Sequence, residues 1–406
     1  MTTIAHGQYP QRRPNGLWRG TSAMIMGLTT TLSKGFLSGL NNLEVIGLDN
    51  FVELLESRSD PYERQRGLIT VSNHVSVMDD PLIWGVLPLR LAFQPWTLRW
   101  GLGAHDICFK NRAFATFFTL GQVVPIHRSW HSTHAGLFQP SMTQAIRLLS
   151  AYPFKTLKEH QAVAPPQPKT VTVQSLLADL RDPFTEGGLT YSTTGHDVHT
   201  APSAFLSNRH AWVHVFPEGL VHQHPERQMR YFKWGVSRLI LEAEPMPDVV
   251  PMFIDGTCEV MHEDRGWPRF IPRAGKDVRV AFGDKLDMEH TFGDLRRRWK
   301  GLVKKEAEKR DADIRAAEDE IERATRLKAP DVLRIGELTD ELKYNKEAQE
   351  IRIEVARRVR DEVVKLRRSL GYPDEDPSFG LAETWAKDPK NTKKSPVDGS
   401  IEKPST

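Results

Sequence analysis

The sequence predicts an α/β layered domain, a sheet flanked by helices, and three observations predict it. Short apolar runs alternate with helical stretches over residues 41–150, and the alternation resumes at Ala211. The run GLITVS (67–72) reads as a buried strand, and the Asp79-Asp80-Pro81 that follows opens a helix, with an Asp cap ahead of a Pro. From Phe292 the chain turns helical and highly charged.

Residues 1–20 read as unstructured. Residues 1–43 hold no Asp or Glu but do hold Arg12, Arg13, Arg19 and Lys34, which fits either a mitochondrial presequence or a flexible basic tail. Ile25, Leu28, Leu32, Phe36 and Leu40 recur at helical spacing, with Thr, Ser and Gly opposite. That apolar face suits a membrane interface or the domain core. Leu82–Phe93, with Trp84 and Trp96 nearby, is a second such segment; a buried core helix is its stronger reading.

Gln122–Ile126 reads as a strand and Gln139–Ser150 as a helix. Residues 151–207, with Pro165-Pro166 and Pro168, read as a surface insertion holding one short helix near Val173–Leu180. Trp212–Phe216, Val249–Ile254 and Val278–Phe282 read as strands, and Tyr231–Glu244 as a helix. Ile314, Ala317, Ile321 and Ala324 keep a brief heptad-like spacing, too short for a confident coiled coil. Ile351, Val355, Val359, Val363, Leu366 and Leu370 mark one face of a helix that Gly371 and Pro373 end. The organisation expected is a basic N-terminal segment (1–43), a catalytic domain (44–295), a charged helical extension (296–373) and a disordered tail (374–406). The C-terminal helices offer a surface for an oligomer or a complex.

A formal net charge of +3 leaves no global basic field for nucleic acid. Cys108 and Cys258 are too few for a disulfide framework and show no zinc-ligand spacing. No run of 18 apolar residues predicts an ordinary transmembrane helix.

The chemistry centres on Val71–Asp80 (VSNHVSVMDD). On a regular helix, His74 and Asp79 would point roughly 140° apart. At a strand-to-helix turn they can meet, and Asp80, better placed as the cap, leaves Asp79 free. A carboxylate on one imidazole nitrogen fixes the tautomer and leaves the other as a base. A substrate hydroxyl then serves as nucleophile. The bland reading is a helix cap beside a packed turn residue.

Three more segments follow in order: GQVVPIHR (121–128), FPEG (216–219) and Val250-Pro251. Together with the His74 block they resemble the four blocks of the glycerolipid acyltransferase superfamily. SNHVSVMDDPLIWG (72–85), HDICF (105–109), FFTLGQVVPIHR (117–128), WVHVFPEG (212–219) and RYFKWGVSRLI (230–240) narrow the resemblance to the tafazzin family. It covers roughly residues 15–150 and 208–295, and more loosely the helix at 345–373. Val77 departs from the small thiol residue usual in the first block, and residues 151–207 and 300–345 lie outside the common core.

The resemblance implies a mixed sheet and a coenzyme-A-independent exchange of acyl chains between phospholipids and lysophospholipids that remodels cardiolipin. The lipids it implies are cardiolipin, monolysocardiolipin and phosphatidylcholine. It makes His74 the base, oriented by Asp79, and gives Asn73, Ser76, Arg128, Phe216, Pro217, Glu218 and Gly219 to the substrate. It implies a peripheral or monotopic place on a mitochondrial membrane, facing the intermembrane space. Such an exchange needs no metal or cofactor, in keeping with a sequence lacking a phosphate-binding glycine loop or a Cys/His cluster. The blocks alone also allow an acyl-CoA-dependent lysophospholipid acyltransferase. The amphipathic segments allow a non-catalytic membrane scaffold.

Overall fold

The computed structural model describes residues 16–61, 63–129, 131–150, 190–205, 207–315 and 335–386. Its strands are β1 (Asn42–Ile46), β2 (Leu68–Val71), β3 (Gly101–Ala104), β4 (Val123–Ile126), β5 (Thr190–Tyr191), β6 (His199–Thr200), β7 (Trp212–Val215), β8 (Asp248–Asp255) and β9 (Asp277–Phe282). The central sheet has the order β1-β9-β8-β2-β7. It is mixed: β2 runs parallel to both β7 and β8, while β9 is antiparallel to β8 and parallel to β1. β3 and β4 pair in parallel, and a parallel bridge from Trp100 to Val213 joins them to β7. β2, β3, β4, β7 and β8 therefore end along one edge.

Strand residues alternate between two cores. Ile69, Val71, Val213, Val215, Val249 and Phe253 face one side; Leu68, Trp212, Val250, Met252 and Ile254 face the other. Helices α1 (Gly16–Leu40), α2 (Leu48–Ser57), α3 (Asp79–Ile83) and α4 (Leu89–Ala92) cover the second face. α5 (His105–Cys108) and α6 (Arg112–Leu120) flank β3 and β4. α7 (Pro140–Leu149), α8 (Gly235–Glu242), α9 (Met288–Arg315) and α10 (Lys346–Ser369) cover the first.

Some expectations are sharpened and others need correction. α1 docks through its small face: Ser22, Gly27, Thr30 and Ser33 are buried. Ser22 Oγ donates to the Leu120 carbonyl (2.6 Å) and Ser33 Oγ to that of Pro81 (2.7 Å). At Gly27 a Cβ would fall inside the Phe93 ring, so this close approach requires glycine. Leu17, Leu28, Leu32 and Leu40 point outward instead, with Leu32 74% exposed. The segment 82–93 is mostly core, as its stronger reading has it, although Leu89 and Phe93 are exposed.

Part of the described stretch after residue 190 packs inward rather than lying on the surface. Ala201, Ala204, Phe205 and Ser207 are buried, and the Trp100 indole donates to the Ser207 carbonyl (3.0 Å). The helix expected near Val173–Leu180 lies outside the described residues. So does most of the heptad-like stretch, from Ala317 to Ala324. α8 starts at Gly235 rather than Tyr231; the residues before it are tied to the turn after β7, with Arg230 N donating to Glu218 and Lys233 N to the Pro217 carbonyl. α10 is no appendage. Ile351, Val355, Val359 and Val363 are buried in the first core, so that face is not open to a partner. The expected disordered tail begins ordered: short 3₁₀ turns span Pro377–Gly380 and Ala382–Trp385, and the Arg230 guanidinium stacks on Trp385.

Candidate active site

Five strand ends converge on one edge of the sheet, the usual place for ligands in open α/β folds. After β2 comes the His74 turn, after β7 the Phe216–Gly219 turn, after β8 Thr257. After β3 comes Asp106, and after β4 Arg128.

His74 Nδ1 lies 2.9 Å from Asp79 Oδ2. Asp79 is fully buried and His74 keeps 20% of its side-chain exposure. The same Asp79 oxygen accepts from the N–H groups of Val75 (2.7 Å) and Ser76 (2.9 Å), and its partner oxygen accepts from Thr257 Oγ1 (2.5 Å). Four donors thus fix the carboxyl. With Nδ1 spent on Asp79, Nε2 is the nitrogen left to accept a proton, an assignment that follows from the hydrogen-bond network. Phe216 stacks on the imidazole at 4.2 Å. Beneath it, Trp212 Nε1 donates to Thr70 Oγ1 (2.8 Å), which lies 2.8 Å from His214 Nδ1. Burial holds buried His214 down to about 3, so it stays neutral.

The helix start differs from the sequence reading. α3 begins at Asp79 with Met78 ahead of it, and no side chain caps it. Asp80 is not a cap: it accepts from Arg99 (2.6 Å) and from the Trp84 indole (3.1 Å). Pro81 falls within the first turn, where a missing N–H costs nothing.

Three residues assigned to the substrate are turned inward. Asn73 clamps the Ile254 backbone in both directions, at 2.8 Å each. Ser76 is fully buried and its Oγ accepts from Met78 N (3.2 Å). Glu218 is buried and accepts from His74 N (2.8 Å) and Arg230 N (2.9 Å). These residues shape the turn around His74 instead of facing a ligand. Gly219 takes φ +69, closing the turn with its N–H on the Phe216 carbonyl (3.0 Å), and Pro217 offers its carbonyl to Lys233 N (2.8 Å). Val77, the departure in the first block, is exposed and touches none of this.

Arg128 forms a two-pronged pair with Asp106: Nε donates to Oδ1 (3.0 Å) and Nη2 to Oδ2. Burial would raise the Asp106 carboxyl, but the Arg128 hydrogen bonds and charge outweigh it and hold it low. At about 4.8 Å per strand, Arg128 stands on the order of 14 Å along the edge from His74, before side-chain reach.

The sequence reading missed Thr257, His214 and Asp106. Thr257 had one local signal, the glycine before it: Gly256 adopts φ +82 after β8, where a Cβ would strike the Asp277 carbonyl. It also missed His105, His127 and Asp197, which the fold gathers from three segments.

Glu218 gives a pH prediction. Burial pushes it up to about 7, against the lowering pull of the Arg230 and His74 N–H groups. The folded chain therefore binds this proton more tightly than the unfolded one. Its contribution is most favourable below pH about 4.5 and falls as pH rises towards 7, by roughly 3 kcal/mol in all. In urea unfolding from pH 4 to 8, wild type should lose that much stability relative to Glu218→Gln. A pH-independent difference between the two would contradict the prediction.

A mixed α/β sheet carrying a His–carboxyl pair and an arginine at its strand ends is the framework of an acyltransferase. The Acyltransferase family model matches residues 42–255. Tafazzin from Saccharomyces cerevisiae is 34% identical over 386 residues, 93% of this chain and 85% of the yeast protein. Tafazzin from Drosophila melanogaster is 28% identical over 287 residues, 71% of this chain and 57% of the fly protein. N-acylphosphatidylethanolamine synthase from Arabidopsis thaliana is 26% identical over 276 residues, covering 68% and 72%. The chain belongs to the tafazzin family of acyltransferases.

Proposed function

We propose that this enzyme moves acyl chains from a phospholipid to a lysophospholipid without coenzyme A, remodelling cardiolipin at a mitochondrial membrane surface. The observation that carries this is the His74–Asp79 pair, with no free nucleophile beside it among the described residues. The neighbouring hydroxyls are engaged: Thr257 Oγ1 donates to Asp79 (2.5 Å), Ser72 Oγ donates to the Asn73 carbonyl (3.0 Å) and Ser76 Oγ accepts from Met78 N (3.2 Å). Both serines are fully buried.

The attacking oxygen is then the free glycerol hydroxyl of the lysolipid. His74 Nε2 takes its proton as the oxygen attacks the donor's ester carbonyl carbon. The bond from that carbon to the donor's glycerol oxygen breaks, and this oxygen takes the proton back from His74. Asp79 holds the imidazole throughout. Arg128, oriented by Asp106, offers its remaining N–H groups to a phosphate.

Lipid access comes from the outward leucines of α1, with Phe114 and Phe117 on the adjoining α6. Among the described residues no helix is long and apolar enough to cross a membrane. An apolar helix face lying in the interface fits that arrangement. The acid-free, Arg-bearing N-terminal stretch supports the mitochondrial address. α1 itself, with Leu37 fully buried, belongs to the fold and not to a removable leader.

The test supplies purified protein with vesicles of phosphatidylcholine labelled in its acyl chains, mixed with monolysocardiolipin and free of acyl-CoA. Label should appear in cardiolipin. Transfer only on addition of acyl-CoA would overturn the coenzyme-independent reading. Label on the amine of added phosphatidylethanolamine, with none in cardiolipin, would favour the reaction named for the Arabidopsis relative.

A further inference from the structure

The fold brings together a set of side chains that the acyl transfer does not use. His105 follows β3, His127 follows β4, and Asp197 lies in the turn between β5 and β6. One ligand atom from each lies within 4.8 Å of the others. The His105 and His127 rings stack at 4.3 Å. His199 joins from β6, its Nε2 2.9 Å from Asp197 Oδ2.

From these contacts we infer a binding site for a divalent transition metal, with zinc as the best-fitting ion. Its ligands are His105, His127 and Asp197, and His199 is within reach as a fourth.

The Asp197 carboxyl is built for the task. Oδ1 takes three donors from its own hairpin: Ser192 Oγ (2.6 Å), Thr193 N (2.7 Å) and Thr194 N (2.9 Å). That leaves Oδ2 facing the histidines. Outer hydrogen bonds of this kind orient a metal-binding carboxylate. The Thr193 hydroxyl bonds Asp197 Oδ2 and also lies 2.7 Å from His127 Nε2. It bridges two ligand atoms where an ion would join them directly, and rotating it away opens the position. Two or three imidazoles and one carboxylate, without thiolate, match a tetrahedral zinc site.

The consequence is local. His105 adjoins Asp106 and His127 adjoins Arg128, so a bound ion would staple the β5–β6 hairpin onto the pair assigned to phosphate. The binding free energy becomes stability of that junction.

The experiment uses the full chain, free of any histidine tag and stripped with chelator. Titration with zinc chloride should show one ion per chain by calorimetry and raise the melting temperature. Cobalt chloride should give the visible absorption of a tetrahedral site. Asp197→Asn and His105→Ala should each weaken zinc binding at least about tenfold and abolish the melting shift. Equal zinc affinity in wild type and both variants would mean scattered surface histidines only, and would overturn the inference. If the variants do not fold, the cobalt spectrum of the wild type decides: absence of the tetrahedral band is equally fatal.

Discussion

His74→Ala should lower the rate of acyl transfer by about 10²–10⁴-fold, the usual contribution of a positioned general base, while leaving the chain folded. The side chain is partly exposed, and its packing is one stacked face against Phe216. Its backbone contacts, N–H to Glu218 and carbonyl to His222 N, do not depend on the ring. Asp79 is a different case. It is buried and serves four donors, so Asp79→Ala would strand all four at about 1–3 kcal/mol each. Loss of activity there would be confounded with loss of fold. Asp79→Asn keeps the shape and is the variant to compare. Transfer rates, with circular dichroism melts on the same preparations, check both. Activity of folded His74→Ala above a tenth of wild type would remove His74 from its assigned role.

Arg360→Ala should destabilise the chain by about 3–5 kcal/mol, the cost of leaving one member of a buried ion pair alone. That is a large share of the roughly 5–15 kcal/mol that holds a domain folded. Arg360 on α10 bonds Glu375 (2.5 Å), and both side chains are buried. The same guanidinium donates to the carbonyls of Arg230 (2.9 Å) and Met229 (2.8 Å). One heptad on, Arg367 donates to those of Arg227 (3.0 Å) and Glu226 (2.8 Å). Two arginines of α10 thus hold residues 226–230, whose Arg230 N–H orients Glu218, which in turn holds the His74 backbone. Weakened transfer should accompany the instability even well below the melting temperature. Urea unfolding of Arg360→Ala, Glu375→Gln and the double variant measures the coupling. A loss under about 1 kcal/mol in Arg360→Ala would show that the pair carries little.

The strand runs and the His74 turn were legible because apolar periodicity and the Asp-Asp-Pro signal act over a few residues. What failed depended on distant partners. The leucines of α1 could by hydrophobicity face either a membrane or the core; what the sequence did not show is that Gly27, Ser22, Thr30 and Ser33 form the docking face, with Ser22 and Ser33 donating to distant backbone carbonyls. Asp80 read as a cap because nothing in its neighbourhood announces Arg99. Glu218 and Asn73 read as ligand contacts because their inward partners, Arg230 N and the Ile254 backbone, lie 12 and 181 residues along the chain. Nothing in the sequence marked Arg352, Arg360 and Arg367 as buried, since a periodicity count cannot see that distant backbone carbonyls await them. The metal-ligating set is the extreme case: no two of its three members are close in sequence.

The long reach of these supports bears on the order in which the enzyme is made. Its core strands and helices can begin to pack as they emerge, but the turn around His74 waits for Thr257, then for Arg360, and finally for Glu375 near the end of the described chain. Contacts that distant pay their loop-closure entropy before they return any stability. The catalytic edge is therefore among the last parts to set. A nascent chain that has already begun to compact but lacks Glu375 carries its histidine on a loosely held loop, with the acyl-transfer turn still unsupported from that side.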